Sequence, residues 1–364
     1  MNLMQPWVYR GSTGRDLRLD WLRGFALFVM TINHIGGYSY FYSITGNNNF
    51  YISAAEGFYF ISGLTLGIVF ARDTFGEAVK RLLARAVVVY RTTVLIAIGF
   101  AAFSLYTGLT VWNDPFPKDQ NFLEFIFFVL TLQKSYHGSD ILLAYVVYMI
   151  LAPLALYQMF SQRSWLALAV SVGLYAFAQA YSGASGWPVD RYHATWQVFF
   201  FVGLVIGFHR AELSRALARK PWLRDGAAAV VLLVAVAFTY MHIRGNYLWP
   251  ELPRLVLGQE NKIAMGPLRL SLVALYLLTF YILTAWFWKP LNTLLGWLLI
   301  PLGSASLWTF TWQLIVIVLL YNIPAFYRQD EPWQGTFWQA LGVLTIWGFI
   351  QGYRWLRRRI APQG

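Results

Sequence analysis

The chain has 364 residues, of which 58% are hydrophobic and 12% charged, and its formal net charge is +12. Soluble domains carry roughly 25% charged residues, so this composition excludes an ordinary soluble protein and indicates an integral membrane protein. Cysteine is absent, which excludes disulfides, thiolate nucleophiles and metal sites built on cysteine. The five histidines are scattered without a ligand-type spacing, so we expect no metal site.

Apolar runs of about 18 residues or more recur along the chain, and each is long enough to cross a hydrocarbon core of ~30 Å. They predict an all-α polytopic membrane protein with about ten transmembrane helices, forming one transmembrane domain over residues 1–364. The predicted spans lie near residues 17–39, 51–71, 86–108, 140–160, 164–182, 194–209, 226–243, 267–287, 297–321 and 337–356. An eleventh apolar run, 121–133, contains Glu124 and has only about 13 residues, which predicts a short span or a re-entrant segment.

The distribution of Lys and Arg predicts how the spans are oriented, because cytoplasmic loops are enriched in these residues. With ten spans and a cytoplasmic N-terminus, 19 of the 28 Lys and Arg residues fall in inner loops. If the 121–133 run crossed fully, the basic run 209–224 would instead lie outside. We therefore expect both termini in the cytoplasm. Inner loops that face anionic lipid account for most of the net charge, so no nucleic-acid partner is expected.

Two pairs of glycines four residues apart predict close contacts between helices. Gly63 and Gly67 lie in "GLTLG", and Gly203 and Gly207 lie in "GLVIG". Small residues at this spacing allow the backbones of two membrane helices to approach each other closely.

Three ionisable residues lie in the first predicted span: Asp20, Arg23 and His34. An ionisable group costs roughly 2.5 to 3.5 kcal/mol at the centre of a membrane helix, so each is a functional hypothesis. The separations of 11 and 14 residues from His34 return the three side chains to roughly one helix face. We expect that face to point into the protein. Other interpretations remain: Asp20 as an interfacial residue favoured by the helix dipole, Arg23 reaching the headgroups, and His34 as a neutral structural histidine.

Glu56 lies about five residues into the second predicted span, near the depth of His34 in its own helix. A buried carboxylate beside an imidazole fixes the ring's tautomer and stabilises its protonated form, which is what a general base needs. The sequence therefore predicts a pair between His34 and Glu56. A purely structural pair is the alternative.

Five motifs follow one another along nearly the whole chain: "RLDWLRGFAL...INHIGG", "SAAEGFYFISGLTLG", "HATWQVFFFVG", "NKIAMGPLRLSLVALY" and "GSASLWTFTWQL". In this order they resemble the OpgC-type membrane acyltransferases, which modify osmoregulated periplasmic glucans. They resemble more distantly the acyltransferase-3 superfamily, whose mark is an Arg and a His with ten residues between them, as in Arg23 and His34.

The resemblance implies an O-acyltransferase of the bacterial inner membrane that moves an acyl group, succinyl in the glucan case. The donor is cytoplasmic acyl-CoA, and the acceptor is a hydroxyl of a periplasmic glucan. By position, His34 is the expected catalytic residue, Asp20 and Arg23 belong to the donor side, and Glu56 occupies the acidic motif position. Related sequences often have a histidine late in the motif that ends here with Gln313. Glutamine does not titrate, so we assign no base chemistry to it.

Acyl transfer to a sugar hydroxyl also needs donors for the developing oxyanion and an anion site for the CoA phosphates. Trp196, Gln197, Lys262 and Arg269 are the expected substrate-binding residues. The inner-loop arginines expected to bind the CoA phosphates are Arg72, Arg81 and Arg85. These arginines also fit a simpler role as charges that set the topology.

Two other functional classes remain. In a proton-coupled transporter or flippase, Asp20, Arg23, His34 and Glu56 would form a proton relay along a substrate path. The other class is a catalytically inactive membrane partner. The ionisable motifs crowd into the first 60 residues and no internal repeat is visible, which counts against a transporter built from two related halves. The sequence leaves the acyl group, the glycan acceptor and the oligomeric state open.

Overall fold

The structure, a computed structural model, describes residues 15–111, 115–136, 138–181, 191–245, 247, 250–258, 262 and 264–360. These residues form thirteen helices of nine or more residues, and no sheet is found among them. In chain order the helices are α1 Leu17–Ile35, α2 Ala54–Phe70, α3 Phe75–Thr107, α4 Phe122–Leu130, α5 Asp140–Phe160, α6 Ser164–Tyr181, α7 Arg191–Phe208, α8 Arg210–Arg219, α9 Pro221–Arg244, α10 Pro267–Trp286, α11 Trp288–Ser304, α12 Ser306–Tyr321 and α13 Pro332–Ile360.

Within the described residues, five helices are long and apolar enough to cross a membrane: α3, α5, α6, α9 and α10. The number rises to seven if two bent pairs each count as one span, namely α7 with α8 and α11 with α12. The predicted all-α, multi-pass membrane class is therefore confirmed. The count of ten spans stays a prediction. So does the cytoplasmic placement of the termini, because residues 1–14 and 361–364 lie outside the described residues.

Two apolar segments differ from continuous transmembrane helices. The predicted span 297–321 is divided at Ala305, where α11 and α12 meet at 94°. Pro301 lies inside the last turn before the break, where it removes a backbone hydrogen bond and so favours the bend. The apolar run at 121–133 forms only the nine residues of α4, about 14 Å of helix at 1.5 Å per residue. This length favours a re-entrant segment over an eleventh span.

The described chain divides into two compact units. The first unit consists of Met1–Leu22, Asn48–Val79 and Ala152–Trp297. The second unit consists of Arg23–Asn47, Lys80–Leu151 and Leu298–Gly364. The predicted single domain stays a prediction.

In the first unit, α2 and α7 pack backbone against backbone along the two glycine pairs. A methyl group on Gly63 would overlap the carbonyl oxygen of Phe200, and one on Gly203 would overlap that of Phe60. Gly67 and Gly207 face the opposite backbone in the same way. The predicted close helix packing at both glycine pairs is confirmed, and the structure shows that the two helices pack on each other. Glu56 lies in the first turn of α2.

In the second unit, α1 packs closely against α11, and its end contacts α13. A methyl group on Gly24 would overlap the carbonyl oxygen of Leu299. Nε2 of Gln339, on α13, donates to the carbonyl oxygen of Gly36 at 2.8 Å. These contacts hold the end of α1, and with it His34, within the second unit.

Candidate active site

His34 lies in the last turn of α1 and contacts Gln313, a residue of α12. Nδ1 of His34 is 2.7 Å from Nε2 of Gln313. On its other side, Oε1 of Gln313 is 3.1 Å from Oγ1 of Thr31. Thr31 donates to the carbonyl oxygen of Leu27 at 2.8 Å. Gln313 has no exposed surface and Thr31 only 2%, whereas His34 as a whole residue is half-buried. A buried amide thus holds one edge of the imidazole.

Further hydroxyl and amide groups surround the end of α1. Thr45 donates to Oδ1 of Asn33 at 3.1 Å, and the hydroxyls of Ser39 and Thr336 lie 3.0 Å apart. The backbone N–H of Tyr40 donates to the Thr336 hydroxyl at 2.9 Å. Neutral hydrogen-bonding groups of this kind match the chemistry of sugar hydroxyls.

Asp20 and Arg23 are both buried, with 3% and 4% of their surface exposed. Because α1 runs unbroken from Leu17 to Ile35, Arg23 and His34 lie on roughly one helix face, about 16 Å apart along the axis. The carboxylate of Asp20 pairs with Arg15 at 2.7 Å. Burial of Arg23 within the protein argues against a side chain that merely reaches the headgroups.

Glu56 belongs to the first unit, where it forms a buried ion pair with Arg269 of α10. Nη2 and Nε of Arg269 donate to Oε1 of Glu56 at 2.6 and 3.2 Å. Oε2 accepts from the backbone N–H of Ser53 at 2.6 Å, which is the carboxylate half of a capping box at the start of α2. Nη1 of Arg269 donates to the carbonyl oxygen of Val256 at 2.9 Å. Neither charged side chain has any exposed surface, so both oxygens of Glu56 are used inside the protein.

Lys262 adds a second cation near this ion pair. Its ammonium donates to the carbonyl oxygen of Asn48, and the residue is 7% exposed. Burial lowers the pKa of Lys262, and the guanidinium of Arg269 lowers it further, while Glu56 opposes the shift. Lys262, Arg269 and Glu56 are therefore brought together, with two cations to one carboxylate.

Gln197 and Trp196, on α7, are engaged in helix packing. Oε1 of Gln197 accepts from the hydroxyl of Ser171 at 2.8 Å, and its Nε2 donates to the Ser171 carbonyl oxygen at 2.8 Å. The Trp196 ring meets Tyr59 edge to face, with 6.0 Å between centroids. Both residues are buried, so their predicted role in substrate binding stays a prediction.

The three arginines predicted to bind CoA phosphates are exposed. Arg72 follows the end of α2 in the first unit, and Arg81 and Arg85 lie on the part of α3 that belongs to the second unit. Their exposure is consistent with two roles: binding the phosphates of CoA, or acting as positive charges that set the orientation of the membrane spans.

The predicted partnership of His34 with Glu56 joins residues of different units and stays a prediction. Each instead has close partners in its own unit that sequence reasoning missed. In the sequence Gln313 is only a departure from a motif, and nothing in a spacing of 279 residues indicates its contact with His34. The partnership of Ser53 with Glu56 did leave a signal, since Ser-x-x-Glu at a helix start is the capping-box pattern.

These features define a multi-pass helical membrane protein in which ionisable side chains of the helices are buried within the protein. Within the described residues, no group of three or more His, Asp or Glu side chains is placed to hold a metal ion. The family model described as OpgC protein matches residues 15–358, nearly the whole chain. The chain therefore belongs to the OpgC family. Comparisons with curated proteins and with solved structures find no match. Membership of this family indicates a transferase that modifies glucans by acyl transfer.

Proposed function

We propose that the protein transfers a succinyl group from cytoplasmic acyl-CoA to a hydroxyl of a periplasmic glucan, as a multi-pass protein of the bacterial inner membrane. Family membership supports the reaction class. The assignment of chemistry depends on the contact between the imidazole of His34, in the last turn of α1, and the buried amide of Gln313.

His34 is the general base in this proposal. It removes the proton of the glucan hydroxyl while that oxygen attacks the thioester carbonyl carbon. The new C–O bond forms, the C–S bond breaks, and the departing thiolate of CoA receives the proton. A base of this kind typically contributes 10² to 10⁴ in rate. The hydroxyl and amide groups at the end of α1 suit the binding of neighbouring sugar hydroxyls.

The donor site lies, in this proposal, at the opposite end of α1. Arg23 is buried on the same helix face as His34, and Asp20 precedes it by one turn. The pantetheine arm of CoA would carry the thioester along the roughly 16 Å between Arg23 and His34. Exposed Arg81 and Arg85, in the same unit as Arg23 and His34, would pair with the nucleotide phosphates, since arginine binds phosphate with two parallel hydrogen bonds.

For Glu56 we propose an indirect role. Both of its oxygens are engaged, one by Arg269 and one by the backbone of Ser53, so it acts by holding Arg269 rather than by touching the substrate. Lys262 and Arg269 carry two positive charges, against the single negative charge of Glu56. The resulting positive potential favours an anionic group.

The test is mass spectrometry of periplasmic glucans from cells that express the protein, cells that lack it and cells that express His34→Ala. We expect glucans heavier by whole succinyl groups in the first cells only. Unmodified glucans in all three would contradict acyl transfer, and a loss of glucan export without any acylated product would favour the transporter interpretation.

A further inference from the structure

We propose that Gln313 is a positioning residue that fixes His34 in the tautomer with hydrogen on Nδ1 and the lone pair on Nε2. The catalytic meaning of this tautomer rests on the proposed function, whereas the tautomer itself does not. The inference follows from counting the hydrogens available in the chain of contacts from His34 through Gln313 and Thr31 to Leu27.

The hydroxyl of Thr31 has one hydrogen and two neighbours. It lies 2.8 Å from the carbonyl oxygen of Leu27 and 3.1 Å from a terminal amide atom of Gln313. The Leu27 carbonyl can only accept a hydrogen bond and is the closer of the two neighbours, so the single hydrogen of Thr31 is donated there. Oγ1 of Thr31 is then left as an acceptor toward Gln313, and the amide atom that faces it must be the NH₂ group.

The amide oxygen of Gln313 consequently faces His34. The oxygen and nitrogen of an amide are nearly isosteric, so the hydrogen-bond network decides their positions. With the amide turned this way, its oxygen takes the place of Nε2, 2.7 Å from Nδ1 of His34, and an oxygen there needs a hydrogen on that nitrogen. This arrangement makes three hydrogen bonds with three hydrogens. The reverse arrangement has the NH₂ group toward His34 and Oε1 toward Thr31. It makes one hydrogen bond fewer, because Oε1 and the Leu27 carbonyl would compete for the single Thr31 hydrogen. Gln313 is fully buried, so an unpaired amide oxygen there is costly.

A general base must present an unprotonated nitrogen to the hydroxyl. With hydrogen on Nδ1, that nitrogen is Nε2, as in triads where a carboxylate orients the histidine. An amide orients the ring without adding negative charge, so it favours the tautomer with less stabilisation of the imidazolium than a carboxylate gives. Replacing Gln313 with Glu should therefore keep the tautomer and strengthen proton binding.

The direct test is ¹⁵N NMR of histidine-labelled protein in lipid nanodiscs at pH 8, with His34→Ala used to assign the signals. We expect a protonated, pyrrole-type Nδ1 and a pyridine-type Nε2 in the wild type. Gln313→Leu should shift the ring toward the opposite tautomer. If that variant does not fold, Thr31→Val serves in its place, because it removes the acceptor that orients the amide. The matched control is Thr93→Val, since Thr93 is also buried and donates to the carbonyl four residues earlier.

Activity gives the second readout. Gln313→Leu should lower kcat by about 10- to 100-fold, less than the 10² to 10⁴ expected for loss of the base itself, with KM for acyl-CoA unchanged. Gln313→Glu should retain transfer, with the acid limb of its pH profile moved to higher pH. A wild-type His34 with hydrogen only on Nε2, or on both nitrogens at pH 8, would overturn the inference. Unmodified glucans beside an Nδ1-protonated ring would overturn the proposed function alone.

Discussion

Oε1 of Glu56 lies 2.6 Å from Nη2 of Arg269, and neither side chain has any exposed surface. In such a pair the attraction between the two charges offsets the free energy lost on dehydration only while both partners are present. Removing one leaves the other as an uncompensated buried charge, which typically costs 3 to 5 kcal/mol. The first turn of α2 therefore depends on a residue more than 200 positions away in the sequence.

A double-mutant cycle tests this dependence. We expect Glu56→Gln and Arg269→Met each to lower the free energy of unfolding by ~3–5 kcal/mol. The double variant should lose much less than the sum, because no unpaired charge remains. The measurement is denaturation of the purified protein in detergent micelles. Additive losses would show that the two residues do not stabilise each other.

A second double-mutant cycle, which combines Glu56→Gln with His34→Ala, tests the pairing predicted between His34 and Glu56. Given the partners found for Glu56, we expect additive effects on stability. A coupling of 0.5 kcal/mol or more, typical of residues in contact, would instead support a direct pair.

The glycine contact between α2 and α7 gives a steric prediction. Gly63→Ala should destabilise the protein by about 1–3 kcal/mol, as overpacking does, because the new methyl group meets the carbonyl oxygen of Phe200. Gly99→Ala is the matched control, since nothing lies within 4 Å of a Cβ at that helical position. Alanine there should be neutral or stabilising by up to ~1 kcal/mol. Equal thermal stability of both variants would argue against the close approach.

The donor side is tested by acyl-CoA binding. Arg23→Gln should weaken the affinity of purified protein for succinyl-CoA by about tenfold or more, because a charge-assisted hydrogen bond contributes ~1.5–3 kcal/mol. Arg254→Gln, at a side chain that is 86% exposed, should leave the affinity unchanged. Isothermal titration calorimetry provides the measurement. Normal binding by Arg23→Gln would place the donor elsewhere.

Topology can be checked with reporter fusions. The positive-inside pattern predicts that Gly364 lies in the cytoplasm and Asn47 outside. A reporter that is active only in the periplasm should therefore be active when inserted at Asn47 and silent when fused after Gly364. Activity, or silence, at both sites would rule out the ten-span arrangement.

Composition and local spacing were enough to predict the membrane class, the burial of Asp20 and Arg23, and the packing of the two glycine pairs. Each depends on residues close together in the chain or on a strong local rule. The break at Ala305 was missed because the run 297–321 is apolar throughout, and hydropathy does not register the direction of a helix. The contacts of Glu56 with Arg269 and of His34 with Gln313 depend on how distant helices pack, which no single sequence spacing encodes.

The central claim is that His34 performs the transfer, and the most direct measurement uses purified protein with labelled succinyl-CoA and isolated glucan. Wild-type protein should produce succinylated glucan. His34→Ala should remain monodisperse and bind succinyl-CoA normally, yet transfer 10² to 10⁴ times more slowly, which is the usual contribution of a general base. A His34→Ala protein that transfers at nearly the wild-type rate would contradict the account.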